Sequence, residues 1–300
     1  MGTQFWWFYD VIAAVIVLAC IFIWGKKGVI KSILALTSCL LAAIISFGIS
    51  SGIAKTIYGS SVRVSNIKKI SNNIDNDTFL HDYTAYLESL GYSIKVNQKQ
   101  LDEIFNGSGD YTEEICRYVN SINGRAVEKN EETLRRKVRE GYTAVISGIV
   151  SDALKNNYVT EVTVNTINEK GDIDELIPLI ADHDVQRDAA EYIVDNFTAD
   201  AYNSLFRLGT VLVLFLLLAI LIGFIMRSFT ANQSEMDLSL GNHIAGGAIA
   251  ILTGGVFIFA AAVIVRLWAI LGNNEMMFFN SDVVDKTYIF KYFYDFIMKM

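Results

Sequence analysis

Long apolar stretches and long polar stretches alternate along the chain. Four stretches carry almost no charge, and they lie at 5–24, 33–54, 208–226 and 244–265. Each reaches the ~20 residues that an α-helix needs to cross about 30 Å of hydrocarbon. The pattern predicts an all-α polytopic membrane protein with four transmembrane helices and an inserted helical soluble domain.

Charge near the ends of these stretches predicts their orientation. The short loop between the first two spans carries Lys26, Lys27 and Lys31 and no acidic residue, which is typical of a cytoplasmic loop. Both termini and the long middle segment then lie outside a plasma membrane. Arg207 lies at the outer end of the third span, where this rule would not place a basic residue. It follows a long segment, however, and long segments are translocated largely regardless of their charge. The first span has no basic region before it, so we expect it to be retained rather than cleaved.

The middle segment, 56–206, contains 15 Lys and Arg against 25 Asp and Glu, a net charge of −10. Asn97, Asp110 and Asp172 stand where helix starts are expected, and 130–158 is one long amphipathic stretch. A helix over 184–206 can continue into the third span. Only 158–167 (YVTEVTVNTI) alternates like a strand. We predict five to seven helices here. The predicted organisation is 1–55 for spans one and two, 56–206 for an acidic extracytoplasmic domain, 207–270 for spans three and four, and 271–300 for an amphipathic tail helix.

Composition narrows the class of function. The chain is 52% hydrophobic, 19% charged and carries a formal net charge of −7, which argues against a nucleic-acid binder, a disordered chain and an ordinary cytosolic enzyme. The three cysteines, Cys20, Cys39 and Cys116, form no metal or disulfide pattern and are expected to act as small apolar residues. We therefore predict no cofactor, no metal and no catalytic residue.

Two histidines leave a hydrolytic alternative open. His81 and His183 each adjoin acidic residues, so an acid–base or metal site in the middle segment is conceivable. A literal G-x-S-x-G occurs at 48–52, but it falls in an apolar helical stretch rather than at the strand-to-helix turn of a hydrolase. We interpret that match as chance.

Three ionisable residues lie at the outer ends of the spans. Asp10 lies just inside the first span, while Arg207 and Arg266 lie just beyond the third and fourth. Charged groups at such depths pair with one another or extend to the interface. Two hypotheses follow: Asp10 pairs with Arg266 or Arg207 across helices, or each side chain reaches water independently.

Small residues recur every four positions in the fourth span, at Gly246, Ala250 and Gly254, with Gly247 and Gly255 one step round. Such a stripe lets helix backbones approach closely in lipid, within one chain or between copies of a homo-oligomer. The alternative is a smooth path for a transported substrate along the same face. The tail at 281–300 adds an aromatic-rich face that includes Tyr288, Tyr292 and Phe296, and it lies along the interface or docks on the bundle.

These residues together resemble the bacterial colicin V production protein family (CvpA). The first span begins near Asp10 and ends in Gly25-Lys26-Lys27-Gly28, and the last span follows an L-G-x-x-x-G-G-like element at 240–247 that includes Gly241, Gly246 and Gly247, one residue longer than in that family. Gly254 and Gly255 follow, and an Asn280-Ser281 element precedes the terminal helix. The resemblance covers roughly 5–60 and 205–300, and the inserted segment departs from it.

The resemblance implies a four-helix inner-membrane protein associated with colicin V export and envelope upkeep, without catalytic residues. Partners would be the lipid bilayer and envelope or secretion proteins, and not nucleic acid. The leading hypothesis is a non-enzymatic membrane protein of this kind. A transporter or channel component with a glycine-lined fourth helix is the alternative, and a membrane-tethered hydrolase using His81 and His183 is the third.

Overall fold

The computed structural model describes residues 5–107, 109–170, 173, 175–181, 186–230, 239–276 and 278–299. Within these residues the chain forms α-helices and no β-strand, which confirms the all-α class. The fourteen α-helices of the described residues are α1 Trp7–Cys20, α2 Gly28–Ile57, α3 Arg63–Ser71, α4 Asn76–Ser89, α5 Gln98–Phe105, α6 Tyr111–Asn123, α7 Glu131–Leu154, α8 Asn157–Lys170, α9 Leu176–Ala181, α10 Gln186–Ile193, α11 Ala199–Thr230, α12 Leu240–Leu271, α13 Ser281–Val284 and α14 Phe290–Met298. Three π-helical turns, at Ile21–Gly25, Tyr58–Val62 and Val194–Thr198, join some of them.

The chain divides into two compact units. The first, which we call the membrane unit, comprises Met1–Ile57 and Asn203–Met300, and the second, the helical insert, comprises Tyr58–Tyr202. Four continuous helical stretches are long and apolar enough to cross a membrane: Trp7–Gly25, Gly28–Ser71, Gln186–Ser228 and Leu240–Leu271. The third stretch runs through α10, a π-turn and α11, as the sequence predicts. The four predicted spans are therefore present as helices.

The membrane unit is built around α12. This helix packs most closely against α1, α2 and α14, while α11 approaches the others less closely. The contacts depend on small side chains such as Ala13, Ala42, Ala250 and Ala262, all almost fully buried. Large apolar side chains such as Phe224 lie on the outside instead, at 66% exposure. Small residues between helices and large ones facing outward are typical of a bundle in lipid.

The helical insert has its own core around α7. Tyr142 of α7 stacks on Tyr83 of α4 with ring centroids 4.8 Å apart, and the Tyr83 hydroxyl donates to the Val138 carbonyl at 3.2 Å. Gly141 provides the space for this arrangement, because a Cβ there would lie 2.5 Å from the Tyr86 ring and 2.8 Å from the Tyr83 ring. An apolar, aromatic core of this kind folds the insert into a compact body.

The predicted helix starts at Asn97 and Asp110 in the insert are confirmed. Asn97 and Asp110 each accept a hydrogen bond from a backbone N–H of the helix that follows, at 2.9–3.0 Å. Asn130, at the start of the amphipathic stretch, does the same at 3.0 Å, and the start expected at Asp172 lies outside the described residues. The insert holds eight α-helices among its described residues, against the five to seven expected. Asp184, expected to open the helix toward the third span, lies outside the described residues.

The strand-like alternation over 158–167 was a misleading signal, because this segment is part of helix α8. Its buried positions, Val159, Thr163, Thr166 and Ile167, follow a three- and four-residue spacing that defines one helix face. Asn156 starts the helix by accepting the Val159 N–H at 3.0 Å. Burial of this face against the insert overrides the β-propensity of its valines and threonines.

The tail differs from the single amphipathic helix predicted for it. It forms two short helices, α13 and α14, with a break between them, and α14 packs on α12 and α1. The face it buries consists of Phe290, Tyr294 and Ile297, whereas Tyr292 is 68% exposed. The break between α13 and α14 changes which side chains point toward the bundle. Most of the aromatic side chains expected to form one buried face are therefore exposed.

Candidate functional site

The start of α12 crosses the turn between the first two spans with backbone against backbone. A Cβ on Gly246 would lie 2.9 Å from the carbonyl carbon of Gly28, and a Cβ on Gly25 would lie 3.2 Å from the Cα of Gly247. Only glycine permits such an approach without displacing the neighbouring backbone. We call these four residues the glycine crossing.

Polar groups close the glycine crossing. Asn242 of α12 accepts the Val29 N–H at 2.8 Å, and the Ser32 hydroxyl lies 3.0 Å from the carbonyl oxygens of both Trp24 and Gly28. The Nδ1 of His243 lies 3.3 Å from the carbonyl oxygen of Gly25. Helix starts leave N–H groups without intrahelical acceptors, and Asn242 supplies one for α2 from another span. Gly28 has φ of +77°, a second reason for glycine at this turn.

The glycine stripe continues this packing along α12. A Cβ on Gly254 would lie 3.1 Å from the Cα of Val17 in α1, and Ala250 is fully buried. Gly255 faces open space, and the exposed Gly241 would meet only the Ser239 hydroxyl at 4.0 Å. Five of the predicted glycines, Gly25, Gly28, Gly246, Gly247 and Gly254, thus lie along one seam of α12 with α1 and the turn. Gly241 does not.

Asp10 holds the start of the C-terminal helix. Its Oδ2 accepts the Tyr288 N–H at 2.7 Å, and its Oδ1 accepts the N–H groups of Ile289 and Phe290 at 3.0 Å each. We call this arrangement the Asp10 clasp. Neither hypothesis for Asp10 describes this arrangement, because the carboxylate accepts from backbone donors of the tail. An anion at a helix N-terminus is favoured by the unsatisfied N–H groups and by the helix dipole.

Side chains around the clasp fix the tail. Tyr9, next to Asp10, is buried and stacks on Phe290 with centroids 5.1 Å apart. The Ser281 N–H donates to Asn274 Oδ1 at 2.7 Å, and its hydroxyl lies 2.9 Å from the hydroxyl of Tyr294. The Asn280-Ser281 element therefore ties the connection after α12 to α14. Sequence reasoning missed Tyr9, Asn242 and Asn274. A helix start with no local cap residue is the signal that could have pointed to Asn242.

The two candidate arginines lie at the clasp end of the membrane unit. Arg207 lies near the start of α11 and Arg266 near the end of α12, and both are half-buried. Consecutive spans cross the membrane in opposite directions. The start of the third span and the end of the fourth therefore lie on the same side. The arginines therefore share a side with the clasp without serving as its partners.

The helical insert carries a separate polar network. Lys137 Nζ lies 2.7 Å from Glu128 Oε1 and 2.8 Å from the Tyr92 hydroxyl, which itself donates to Glu128 at 2.6 Å. The hydrogen bonds from Lys137 and then from Tyr92 lower the pKa of the Glu128 carboxyl. Those with Glu128 and then with Tyr92 raise the pKa of Lys137.

The insert also holds one buried cysteine. Burial raises the pKa of the Cys116 thiol to about 11. That thiol is protonated and shielded at neutral pH.

Among the described residues, His81 and the G-x-S-x-G match lie in different helices. His81 is exposed, with its Nδ1 3.5 Å from the amide nitrogen of Gln98, and His183 lies outside the described residues. The G-x-S-x-G match lies within α2, where the Ser50 hydroxyl donates to the Phe47 carbonyl at 3.0 Å. Across the described part of the chain, no three His, Cys, Asp or Glu side chains are grouped so as to hold a metal ion.

Fold and site together define a polytopic membrane protein: four helices able to span a bilayer, a glycine-packed seam, a clasped tail and an inserted helical unit. Comparison of the chain with protein-family models, with curated proteins and with solved structures gives no match.

Proposed function

We propose that the chain is a non-enzymatic membrane protein of the colicin V production type, acting in the production or export of a peptide toxin and in envelope maintenance. One observation carries the proposal. The two sequence elements on which the resemblance rests, the Gly25–Gly28 turn and the 240–247 element, are more than 200 residues apart but meet in the glycine crossing. Two short motifs that form one contact are a stronger resemblance than two independent matches.

The remaining elements of the resemblance support the same proposal. Asp10 of the first span binds the start of α14 through the clasp. Ser281 of the Asn280-Ser281 element ties Asn274, in the connection after α12, to Tyr294 of α14. In this proposal the four spans form a scaffold with a locked tail. The acidic insert faces outward and contacts envelope or secretion proteins, as the lysine-rich first loop predicts.

The glycine seam favours a scaffold over a glycine-lined transport path. A Cβ on Gly246 or Gly254 would lie only 2.9–3.1 Å from Gly28 or Val17 of the same chain, so no side chain fits between them. Residues occupied in this way contribute packing, since a solute moving along the face would have to separate the helices. Export in this proposal runs through partner proteins that the scaffold supports.

Complementation tests the proposed function. The chain is expressed in a colicin V-producing strain whose own production protein is deleted, and toxin release is measured by growth-inhibition zones beside survival in deoxycholate. We expect the wild type and Gly255→Val to restore release or survival, and Gly246→Val, at equal membrane level, to restore neither. Wild-type chain that reaches the membrane and restores neither trait refutes the proposal.

A further inference from the structure

An apolar groove runs between the third span and the rest of the membrane unit. Its volume is about 460 Å³, and it is lined by apolar side chains of α2, α11, α12 and α14. Ile44, Phe215, Phe259 and Phe296 represent the four helices that form it. An edge-to-face contact of Phe215 with Phe257, centroids 6.1 Å apart, links α11 to α12 beside the groove.

The membrane determines what can fill such a groove. It lies among segments apolar enough to span the bilayer, where the surrounding solvent is hydrocarbon rather than water. A polar solute would leave its hydrogen-bonding groups unsatisfied there. An acyl chain fills the groove without that cost, and the volume falls within the usual range of ligand pockets.

Two arginines lie one turn beyond the lining residues of this groove, one on α11 and one on α12. Arg207 precedes the groove-lining Val211 by four residues on α11, and Arg266 follows the groove-lining Val263 by three residues on α12. Residues three or four apart share a helix face, so each arginine stands on the lining face of its helix, one turn beyond the last lining residue. Because α11 begins and α12 ends on the same side of the membrane, two positive charges flank the same end of an apolar groove.

We propose that this groove binds one acyl chain of an anionic phospholipid, with the lipid phosphate held between Arg207 and Arg266. A planar guanidinium matches the oxygen geometry of phosphate with two parallel hydrogen bonds. Basic pockets between spanning helices are suited to anionic lipid head groups. The acyl chain of a phospholipid would thus lie in the apolar groove, and its phosphate would lie at the end of the groove beside the two arginines.

Retained lipid measures the site directly. The purified full chain is reconstituted in vesicles of equal phosphatidylglycerol and phosphatidylcholine, extracted in mild detergent, and weighed by native mass spectrometry. We expect one phosphatidylglycerol per chain, retained in preference to phosphatidylcholine. Arg207→Gln with Arg266→Gln should weaken retention about 30-fold, the equivalent of ~1 kcal/mol for each arginine near the membrane surface.

Two matched variants separate the components of the site. Lys26→Gln with Lys27→Gln removes the same charge at the opposite end of the spans and should leave retention unchanged. Ala260→Phe fills the groove without touching either arginine and should abolish retention. Should the arginine variant not fold, the thermal stability of the wild type in phosphatidylglycerol against phosphatidylcholine vesicles decides, because a bound lipid stabilises the folded chain.

The contrary results are equally definite. Equal retention of both lipids, or equal loss in the lysine and arginine variants, overturns the proposal. Glycerol 3-phosphate that displaces the retained lipid would assign the arginines to a free phosphate rather than to a lipid. A two-chain mass without lipid would assign the groove to a second copy.

Discussion

Replacing Asp10 by alanine removes the acceptor of three backbone N–H groups at the start of α14. The carboxylate lies 2.7–3.0 Å from these donors, Ile289 offers no cap side chain, and the Thr287 hydroxyl accepts only the Lys291 N–H, at 2.8 Å. The tail is then held by the apolar contacts of Phe290, Tyr294 and Ile297. We expect α14 to detach more often without unfolding the four spans.

The size of the effect follows from the clasp geometry. Loss of an N-cap side chain costs ~1 kcal/mol and up to ~2 in tight cases, and hydrogen bonds to a charged acceptor exceed neutral ones. Because Asp10 is a half-buried carboxylate that accepts from three N–H groups, we expect Asp10→Ala to cost ~2 kcal/mol, at the upper end of this range. Opening of α14 should then become about 30-fold more frequent. Asp10→Asn keeps a good cap oxygen and should have a smaller effect, about fivefold.

Amide hydrogen exchange of the purified full chain, followed by mass spectrometry of peptides covering Phe290–Met298, measures this opening. Exchange of α12 peptides reports whether the bundle stays intact. Asp295→Ala is the matched control, because it removes an exposed carboxylate of α14 that is not part of the clasp. We expect it to change the exchange rate less than twofold.

An exchange rate in Asp10→Ala within twofold of the wild type would refute the clasp. Equal acceleration in Asp10→Ala and Arg266→Gln, measured in detergent without phospholipid, would revive the ion pair across helices. Acceleration throughout the spans would show that Asp10 stabilises the whole bundle rather than the tail.

Three further outcomes follow from the structure. Gly246→Val should lower the free energy of unfolding by about 2 kcal/mol in thermal scans, through overlap with the turn backbone, whereas Gly255→Val, which faces open space, should change it by less than ~0.5 kcal/mol. A cysteine replacing the exposed Ala126 should react with a membrane-impermeant maleimide in intact cells while the buried Cys116 stays unlabelled; labelling only after permeabilisation would invert the orientation. The depressed pKa of Glu128 means that its contribution to stability is present above the unfolded pKa, about 4.3, and is lost as pH falls through the folded one. Glu128→Gln should therefore lose less stability than the wild type between pH 5 and 3, and an identical loss would contradict the network.

Apolar length and N-cap chemistry are local properties, and they predict much of the fold. The four spans follow from runs of uncharged residues, and α5, α6 and α7 begin where Asn97, Asp110 and Asn130 stand. Segment 158–167 misleads because valine and threonine alternate there, while the burial that selects the helix comes from the rest of the insert. Local patterning could not reveal that distant surface.

The candidate site was predictable only in part, for a related reason. Glycines at four-residue spacing predict close packing, and they pack closely. Their partners, Gly28 and Val17, depend on how the spans pair in three dimensions. Neither hypothesis for Asp10 anticipated its partners, because charge complementarity points to arginine, whereas the actual donors are backbone groups of identical chemistry at every residue.

The two ends of the membrane unit follow the same rule. At one end α2 begins after Lys27, which cannot cap it, and Asn242 accepts the Val29 N–H from α12. At the other end α14 begins after Ile289, and Asp10 accepts from α1. The first N–H groups of a helix have no intrahelical acceptor, and hydrocarbon offers none. At these two starts the acceptor comes from another helix, so a side chain and a helix start that are distant in sequence meet at each end of the unit.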